Sequence, residues 1–365
     1  MSADPQPKLP PLPVARAVDS LRRRLRRFER RLQPPGASVL DLISTAWVVQ
    51  GVYTATKLAS SKRSATVRSR PMRSRRRSTR IQTRCIDSCD YSLAAASSFK
   101  IATGGSHSRR WVRPCAPTHP IRCGDTCLFV GDPLHWEHWG RLSHSVRTGR
   151  CAIEELRGKP TFAWLEDVPE LAAVFDDGVT SISRMETPVV VTAYDFSGFG
   201  TIVDVGGGHG LSLSAILRRS PKSRGILFDA ESVVAGAPAV FEAADVSDRC
   251  ATVGGSFFDS VPAGGDAYVL KHIVHDWDHE KSLPILRNVR AAMKPDAKVL
   301  IVEAVVPDDD REHLSKLLDL EMLVAATGRE RTEAEYAKLL SQAGFRHTRT
   351  VGTVGPASIV EAVAV

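Results

Sequence analysis

The sequence lacks any apolar run approaching the roughly 20 residues that span a bilayer. Its opening, MSADPQPKLPPLPV, holds no apolar stretch of the kind that marks a secretory leader. These absences predict a soluble, cytoplasmic protein with no membrane partner. No internal repeat recurs along the 365 residues. The seven cysteines are an odd number, which argues against a disulfide framework. Cys85, Cys89, Cys115, Cys123 and Cys127 cluster, and their two C-x3-C pairs raise zinc as an alternative. Acids are nearly missing from one stretch. Residues 61–122 hold 15 Lys and Arg against only Asp87 and Asp90, so this stretch supplies the whole formal charge of +8. The remainder is mildly acidic, which argues against nucleic acid as a partner of the protein's body.

What is present is ordinary globular composition, 43% hydrophobic and 25% charged. This length allows one large domain or two smaller ones with a real core. Residues 1–13 read as a disordered Pro-rich tail. In 14–33, Val14, Val18, Leu21, Leu25, Phe28 and Leu32 recur at helical spacing. That stripe suits a partner chain better than a membrane surface. Residues 37–58 read as a helix apolar on most faces, hence buried, between subunits. Residues 60–123 show no sustained period. Helical patterning returns over 128–195. From 201 onward, strands (TIVDVG, RGILFDA, CATVGGSF, AYVLKHI, KVLIVEAVV) alternate with helices, and HTRTVGTVG with ASIVEAVAV makes a closing pair. Such alternation predicts an α/β fold with a mostly parallel sheet.

An apolar strand runs directly into the glycines of T-I-V-D-V-G-G-G-H-G-L and then into a helix. Glycine lets a ligand approach the backbone, and a helix N-terminus favours polar or negative groups. The dinucleotide pattern would need glycine where Leu211 stands. Asp204 and the G-x-G-x-G run from Gly206 resemble instead motif I of S-adenosylmethionine-dependent methyltransferases. Asp229 ends the next strand, where an acid can accept hydrogen bonds from ribose hydroxyls; its alternative is helix capping.

The segment AYVLKHIVHDWDH, with VDVGGGHG, GSFFDSVP, KVLIVEAVVP, LDLEMLV and GRERTEAEYAKLLSQAGF in order, resembles the caffeic acid and hydroxyindole O-methyltransferase family. The resemblance covers about 35–59 and 124–365. It implies a class I methyltransferase: a Rossmann-like, doubly wound α/β sheet with an antiparallel C-terminal strand over 196–365. It implies a mainly helical dimerisation and acceptor domain over 14–195, hence a homodimer. It implies His275 as catalytic base flanked by Glu303 and Glu330. Gly206, Gly208, Asp229, Lys271 and Trp277 match cofactor-contacting positions, and Phe257 matches a residue that packs on adenine. Ser256 stands where the family usually has Asp; its hydroxyl can still bond adenine.

The chemistry agrees. A phenolate is a far better nucleophile toward a sulfonium methyl than a phenol, and histidine can take that proton. A carboxylate beside the imidazole orients it and stabilises the imidazolium. The remainder is alignment of oxygen, methyl and sulfur, with no metal needed. The alternatives are a structural strand-end histidine for His275, a capping or paired acid for Glu303, and a solvated face for Glu330. An aromatic and Met lining suits a flat acceptor, and Trp136, Trp139, Phe175, Met185 and Met322 are the candidates, each with plain core as its alternative. Phenolic polyketides, hydroxyindoles and flavonoid-like compounds all fit.

The resemblance lapses over 60–123. Back-translated with G+C-rich codons and read two nucleotides downstream, Arg77–Leu93 gives VDADPDALYRLLRLLA, and the chain from Ala96 gives GVFEDRDGRVALTAVGAALRADAPDSV. Both look like the missing family segments, which implies two compensating frame changes near Ser60 and Cys123. The rival is a genuine basic insert that binds nucleic acid. A third alternative is a family member with non-methylating chemistry, or an inactive variant.

Overall fold

In this computed structural model the structure describes residues 11–68 and 123–365. The tail through residue 10 and the stretch 69–122, with Cys85, Cys89, Cys115 and most of the basic excess, lie outside them. The described residues divide into two compact units. One takes those within Arg22–Glu137 and Leu165–Met185; the other takes those within Pro5–Leu21, His138–Trp164 and Glu186–Val365.

The first unit is helical. Helix α1 (Leu12–Leu32) enters it, and α2 (Pro35–Arg68) runs ten residues past the expected end at 58. Helix α3 (Gly124–Val130) packs on α2. The Gln50 amide donates to the Gly131 carbonyl at 3.1 Å, and Tyr53 is buried. Phe129 sits edge-on to both His135 and Phe175, at 4.7 and 5.3 Å between ring centres. Helix α4 (Pro133–Trp139) follows. The apolar face of α2 is not covered within the described residues: Leu40, Leu42, Ile43 and Trp47 are each more than half exposed. Among the described residues of the single chain, nothing supplies the burial between subunits expected of this helix. The stripe on α1 is likewise open, with Leu25, Phe28 and Leu32 exposed.

In the second unit, short helices α5 (Leu142–Thr148), α6 (Ala152–Arg157) and α7 (Thr161–Leu165) precede α8 (Pro169–Ala193), whose last turns from Glu186 belong here. Seven strands follow: β1 (Thr201–Val205), β2 (Arg224–Asp229), β3 (Cys250–Gly254), β4 (Ala267–Lys271), β5 (Lys298–Glu303), β6 (Phe345–Gly352) and β7 (Ser358–Ala364). Each predicted strand is present, and their order across the sheet is β3-β2-β1-β4-β5-β7-β6. Pairing is parallel from β3 through β5, and only β7 runs antiparallel to its neighbours.

The apolar strands are buried because helices cover both faces. One layer packs Ile202, Leu213, Leu217, Val269 and Leu300; the other packs Val203, Leu270, Ile285, Leu286 and Ile301. Each large aliphatic side chain so buried contributes about 1.5–3 kcal/mol. The helices of the sheet unit are α9 (Leu211–Arg219), α10 (Glu231–Val234), α11 (Ala237–Ala243), α12 (His279–Ala292), α13 (Ser315–Ala325) and α14 (Glu333–Gln342). Strand order reverses between β1 and β4, and ligands of such sheets bind beyond the carboxyl ends of the strands at that point.

Candidate active site

The carboxyl ends of β1, β2, β4 and β5 carry the predicted residues. Beyond β1, Gly206 adopts φ +67°, and a Cβ there would fall 2.2 Å from Ile273 Cδ1, so only glycine lets the loop lie against the end of β4. The Gly206 N–H donates to the Phe228 carbonyl at 2.7 Å, and the Gly208 N–H donates to Asp229 Oδ2 at 2.8 Å. Those donors are spent on protein acceptors, unlike the open amides of a phosphate cradle. Asp229 also accepts the Ala230 N–H at 2.7 Å, so it fastens the loop and does not cap a helix with its side chain.

Asp204 lies fully buried beneath the loop. Neither carboxylate oxygen has a hydrogen-bond partner among the described residues. Burial pushes its pKa up to about 7, with Lys271 pulling the other way. An orphaned buried carboxylate is costly, and a polar or cationic ligand group offsets that cost.

A turn follows β4 and carries Phe257's neighbour Trp277. The rings of Phe257, Phe258 and Trp277 form an aromatic cluster, with Phe258 edge-on to Trp277 at 4.8 Å. Asn288 on α12 ties this cluster down by donating to the carbonyls of Phe257 and Phe258 at 3.0 and 2.8 Å. Ser256 is exposed and its hydroxyl accepts the Phe258 N–H at 3.2 Å. Lys271 pairs with buried Glu186 at 3.5 Å.

His275 sits in a single turn of 3-10 helix (Val274–Asp276). Its Nδ1–H donates to Glu330 Oε1 at 2.8 Å. Glu303, at the end of β5, makes no such bond to the ring. Its Oε1 accepts the N–H groups of Ile273 and His275 at 3.2 and 3.1 Å, and its Oε2 accepts the Tyr336 hydroxyl. The two acids are therefore distinct: Glu330 addresses the imidazole and Glu303 holds the backbone that presents it. Both are buried, which excludes a solvated face for Glu330. Asp276 Oδ1 lies 3.5 Å from Nε2, the other edge of the ring. Burial alone would lower the His275 pKa; Asp276, Glu330 and Glu303 together hold it up at about 10. Burial raises Asp276 to about 6, and it raises Glu330 as well.

Several supporting residues escaped the sequence reading. Arg331, buried beside Glu330, donates to the carbonyls of Val274 and Trp277 at 2.9 Å each. Asp319 on α13 accepts the Glu330 N–H at 3.0 Å. A Cβ on Gly328 would fall 1.9 Å from the His275 carbonyl, so that loop reaches the turn only because residue 328 has no side chain. A capping box, Thr332 with Glu335, starts α14 directly after Arg331; such a cap contributes about 1 kcal/mol.

The expected acceptor residues are distributed between the units. In the helical unit, the Trp136 indole donates to the Val130 carbonyl at 2.9 Å, Phe175 packs on Phe129, and Met185 is 38% exposed. In the sheet unit, the Trp139 indole donates to Glu321 Oε2 at 2.7 Å, one residue before half-buried Met322.

The sheet order, with the glycine loop and the His275 turn both at its switch point, is that of a Rossmann-like, doubly wound class of protein. Residues 139–346 match the model of the O-methyltransferase domain, and the chain belongs to that family. It is 45% identical over 224 residues to the phenazine O-methyltransferase PhzM of Lysobacter antibioticus, an alignment spanning 61% of this chain and 66% of that protein, just under two thirds. Its structure is similar to the crystal structure of LaPhzM, with a TM-score of 0.77 and 34% identity over 91% of this chain and all of that one. It is also similar to the O-methyltransferase NcsB1 from neocarzinostatin biosynthesis, solved with S-adenosylmethionine and 2-hydroxy-5-methyl naphthoic acid. That comparison gives a TM-score of 0.64 at 29% identity, covering 75% of this chain and 85% of that one.

Proposed function

We propose that this chain transfers a methyl group from S-adenosylmethionine to a hydroxyl of a small aromatic acceptor, with His275 as general base. The carrying observation is the 2.8 Å bond from His275 Nδ1 to Glu330, which makes Nε2, with Asp276 Oδ1 3.5 Å away, the nitrogen that takes a proton. The site residues suit the cofactor. Asp204 offers unsatisfied oxygens, Gly206 and Gly208 expose backbone at positive φ, Asp229 stands at the ribose position, and Phe257 and Trp277 offer flat faces. Bound there, the cofactor supplies an electrophilic methyl group on a sulfonium. His275 accepts the hydroxyl proton at Nε2 as the acceptor oxygen becomes nucleophilic. Glu330 fixes the ring and stabilises the imidazolium. Glu303 keeps the turn in place by holding two of its N–H groups. The phenazine and naphthoate in the names of the relatives support a fused aromatic acceptor.

A second copy of the chain is the partner this reading adds. It would cover the exposed α1 and α2 faces, as large contiguous apolar patches mark interaction surfaces. Incubation with methyl-labelled cofactor and a panel of phenolic, hydroxyindole, phenazine and naphthoate acceptors tests the function. Label in an extracted aromatic product is the expected result; no label transfer across the panel overturns the reading.

A further inference from the structure

Glu186 is 7% exposed and stands two residues before Pro188 on α8. Nothing in the methyl-transfer reading uses it. Its Oε2 accepts the Nε2–H of His272 at 2.6 Å and lies 3.5 Å from Lys271 Nζ, so one buried carboxylate holds two consecutive residues at the end of β4. Burial would raise its pKa, but His272 and then Lys271 hold it down at about 2.

His272 has φ +55°, in the left-handed region that a side chain with Cβ disfavours. That conformation turns the chain out of the strand. The His272 N–H still reaches the Val302 carbonyl at 3.2 Å, and the next N–H groups, of Ile273 and His275, both reach Glu303. The His272 and His275 rings lie 5.1 Å apart. A residue held against its backbone preference needs surroundings that over-determine it, and such residues gather at functional sites. Here the surroundings are a short bond to a buried carboxylate.

We propose that Glu186 is a positioning residue: it tethers His272 in the left-handed conformation that aims the turn bearing His275, and it aligns Lys271 from the same carboxylate. This rests on the methyl-transfer reading above. Its role is distinct from that of Glu303, which holds the turn by the backbone, whereas Glu186 holds it by a side chain.

The test uses the full chain. Glu186→Ala removes the tether, and kcat is expected to fall at least tenfold with the acceptor KM little changed. Asn adopts the left-handed region far more readily than Ala. Adding His272→Asn to Glu186→Ala should therefore bring kcat back to within about threefold of the parent, while adding His272→Ala should not. If Glu186→Ala fails to fold, His272→Asn and His272→Ala are compared with Glu186 intact, with the same order expected. Full kcat in Glu186→Ala, or equal effects of Asn and Ala at 272, overturns the proposal. A readout independent of turnover is the ring resonance of His275 in 13C-histidine-labelled protein, assigned by its loss in His275→Gln. Both His272 variants lose a ring 5.1 Å away, so the comparison is made in the Glu186→Ala background. There the resonance should lie nearer its Glu186-containing position with His272→Asn than with His272→Ala; no difference between the two, or no shift in Glu186→Ala alone, overturns the proposal. If the parent protein transfers no methyl group at all, the functional reading fails, and this resonance still decides the role of Glu186.

Discussion

The imidazole of His275 donates from Nδ1 to the Glu330 carboxylate at 2.8 Å, while Glu303 reaches only the backbone of the same residue at 3.1 Å. Two acids with one sequence-level description thus have different duties. His275→Ala should abolish turnover with cofactor affinity nearly intact, measured by calorimetric titration. Glu330→Gln should keep the fold and lower kcat by about 10–100-fold, the usual range for losing acid–base assistance. Glu303→Gln should instead destabilise the protein by roughly 1–3 kcal/mol, because an amide keeps one acceptor oxygen and cannot serve both the two N–H groups and the Tyr336 hydroxyl. If Glu303→Gln lowers kcat at unchanged melting temperature, that division of roles is wrong.

The acids around His275 also set a pH dependence. Its pKa is raised to about 10 by Asp276, Glu330 and Glu303 against the pull of burial. The base form must be free to accept a proton, so kcat/KM should climb with pH from neutrality well into the alkaline range. An ordinary histidine would level off just above its usual 6.5. The same shift carries a stability sign. A histidine raised on folding contributes stability that is complete below its unfolded pKa and is lost as pH rises from about 6.5 through about 10. Glu330→Gln should move the rate limb toward acid, and an unchanged limb would show that Glu330 does not set it.

Strand positions were readable because each buried strand is a short apolar run bounded by turn residues. The closing pair was readable in the same way, and the antiparallel direction of β7 came from the family resemblance. The site was readable as motifs but not as geometry. His275, Glu303 and Glu330 come from three separate segments, and no spacing reveals which carboxylate meets the ring. Glu186 and His272 were invisible because they are 86 residues apart and meet only in three dimensions. The long α2 exceeded its predicted end because Ser, Lys and Arg after residue 58 erase apolar periodicity without breaking a helix. Its apolar face, expected to be buried between subunits, is open in the single chain, since sequence pattern records that a face is apolar and not what covers it.

Asp204 leads to a proton-linkage prediction. Burial raises it to about 7, so the orphaned acid is partly protonated near neutrality. A cationic cofactor at the strand ends lowers that pKa and releases a proton. The binding heat near pH 7 should vary with the ionisation enthalpy of the buffer, and Asp204→Asn should reduce that variation. Heats that match across buffers in the parent protein would place Asp204 outside the cofactor's field.

The basic stretch leads to a prediction about the gene. If residues 61–122 arise from compensating frame changes, source DNA across codons 55–130 should show two offsetting single-nucleotide differences, near Ser60 and Cys123. The restored reading would replace 15 basic residues with a family-like helical segment and turn the net charge acidic. An unchanged reading would establish the basic stretch as real, and a salt-dependent DNA shift lost on its deletion would then support the nucleic-acid alternative.

Gly206 separates binding from chemistry. Its φ of +67° disfavours any side chain, and a Cβ would meet Ile273 Cδ1 at 2.2 Å, less than real Cβ contacts allow. Ile273 lies in the turn that presents His275, and its own N–H is held by Glu303. Its Cδ1 methyl can turn aside about the side-chain bonds, so the lasting cost is the left-handed backbone at 206, which the glycine loop relieves by shifting. Gly206→Ala is expected to cost roughly 1–3 kcal/mol of stability from the strained backbone. It should also weaken cofactor affinity by at least tenfold, because the loop that Asp229 fastens at Gly208 moves with it. The outcome is read by cofactor titration beside a thermal melt. Loss of stability with full affinity would mean that the loop shapes the sheet and not the cofactor site.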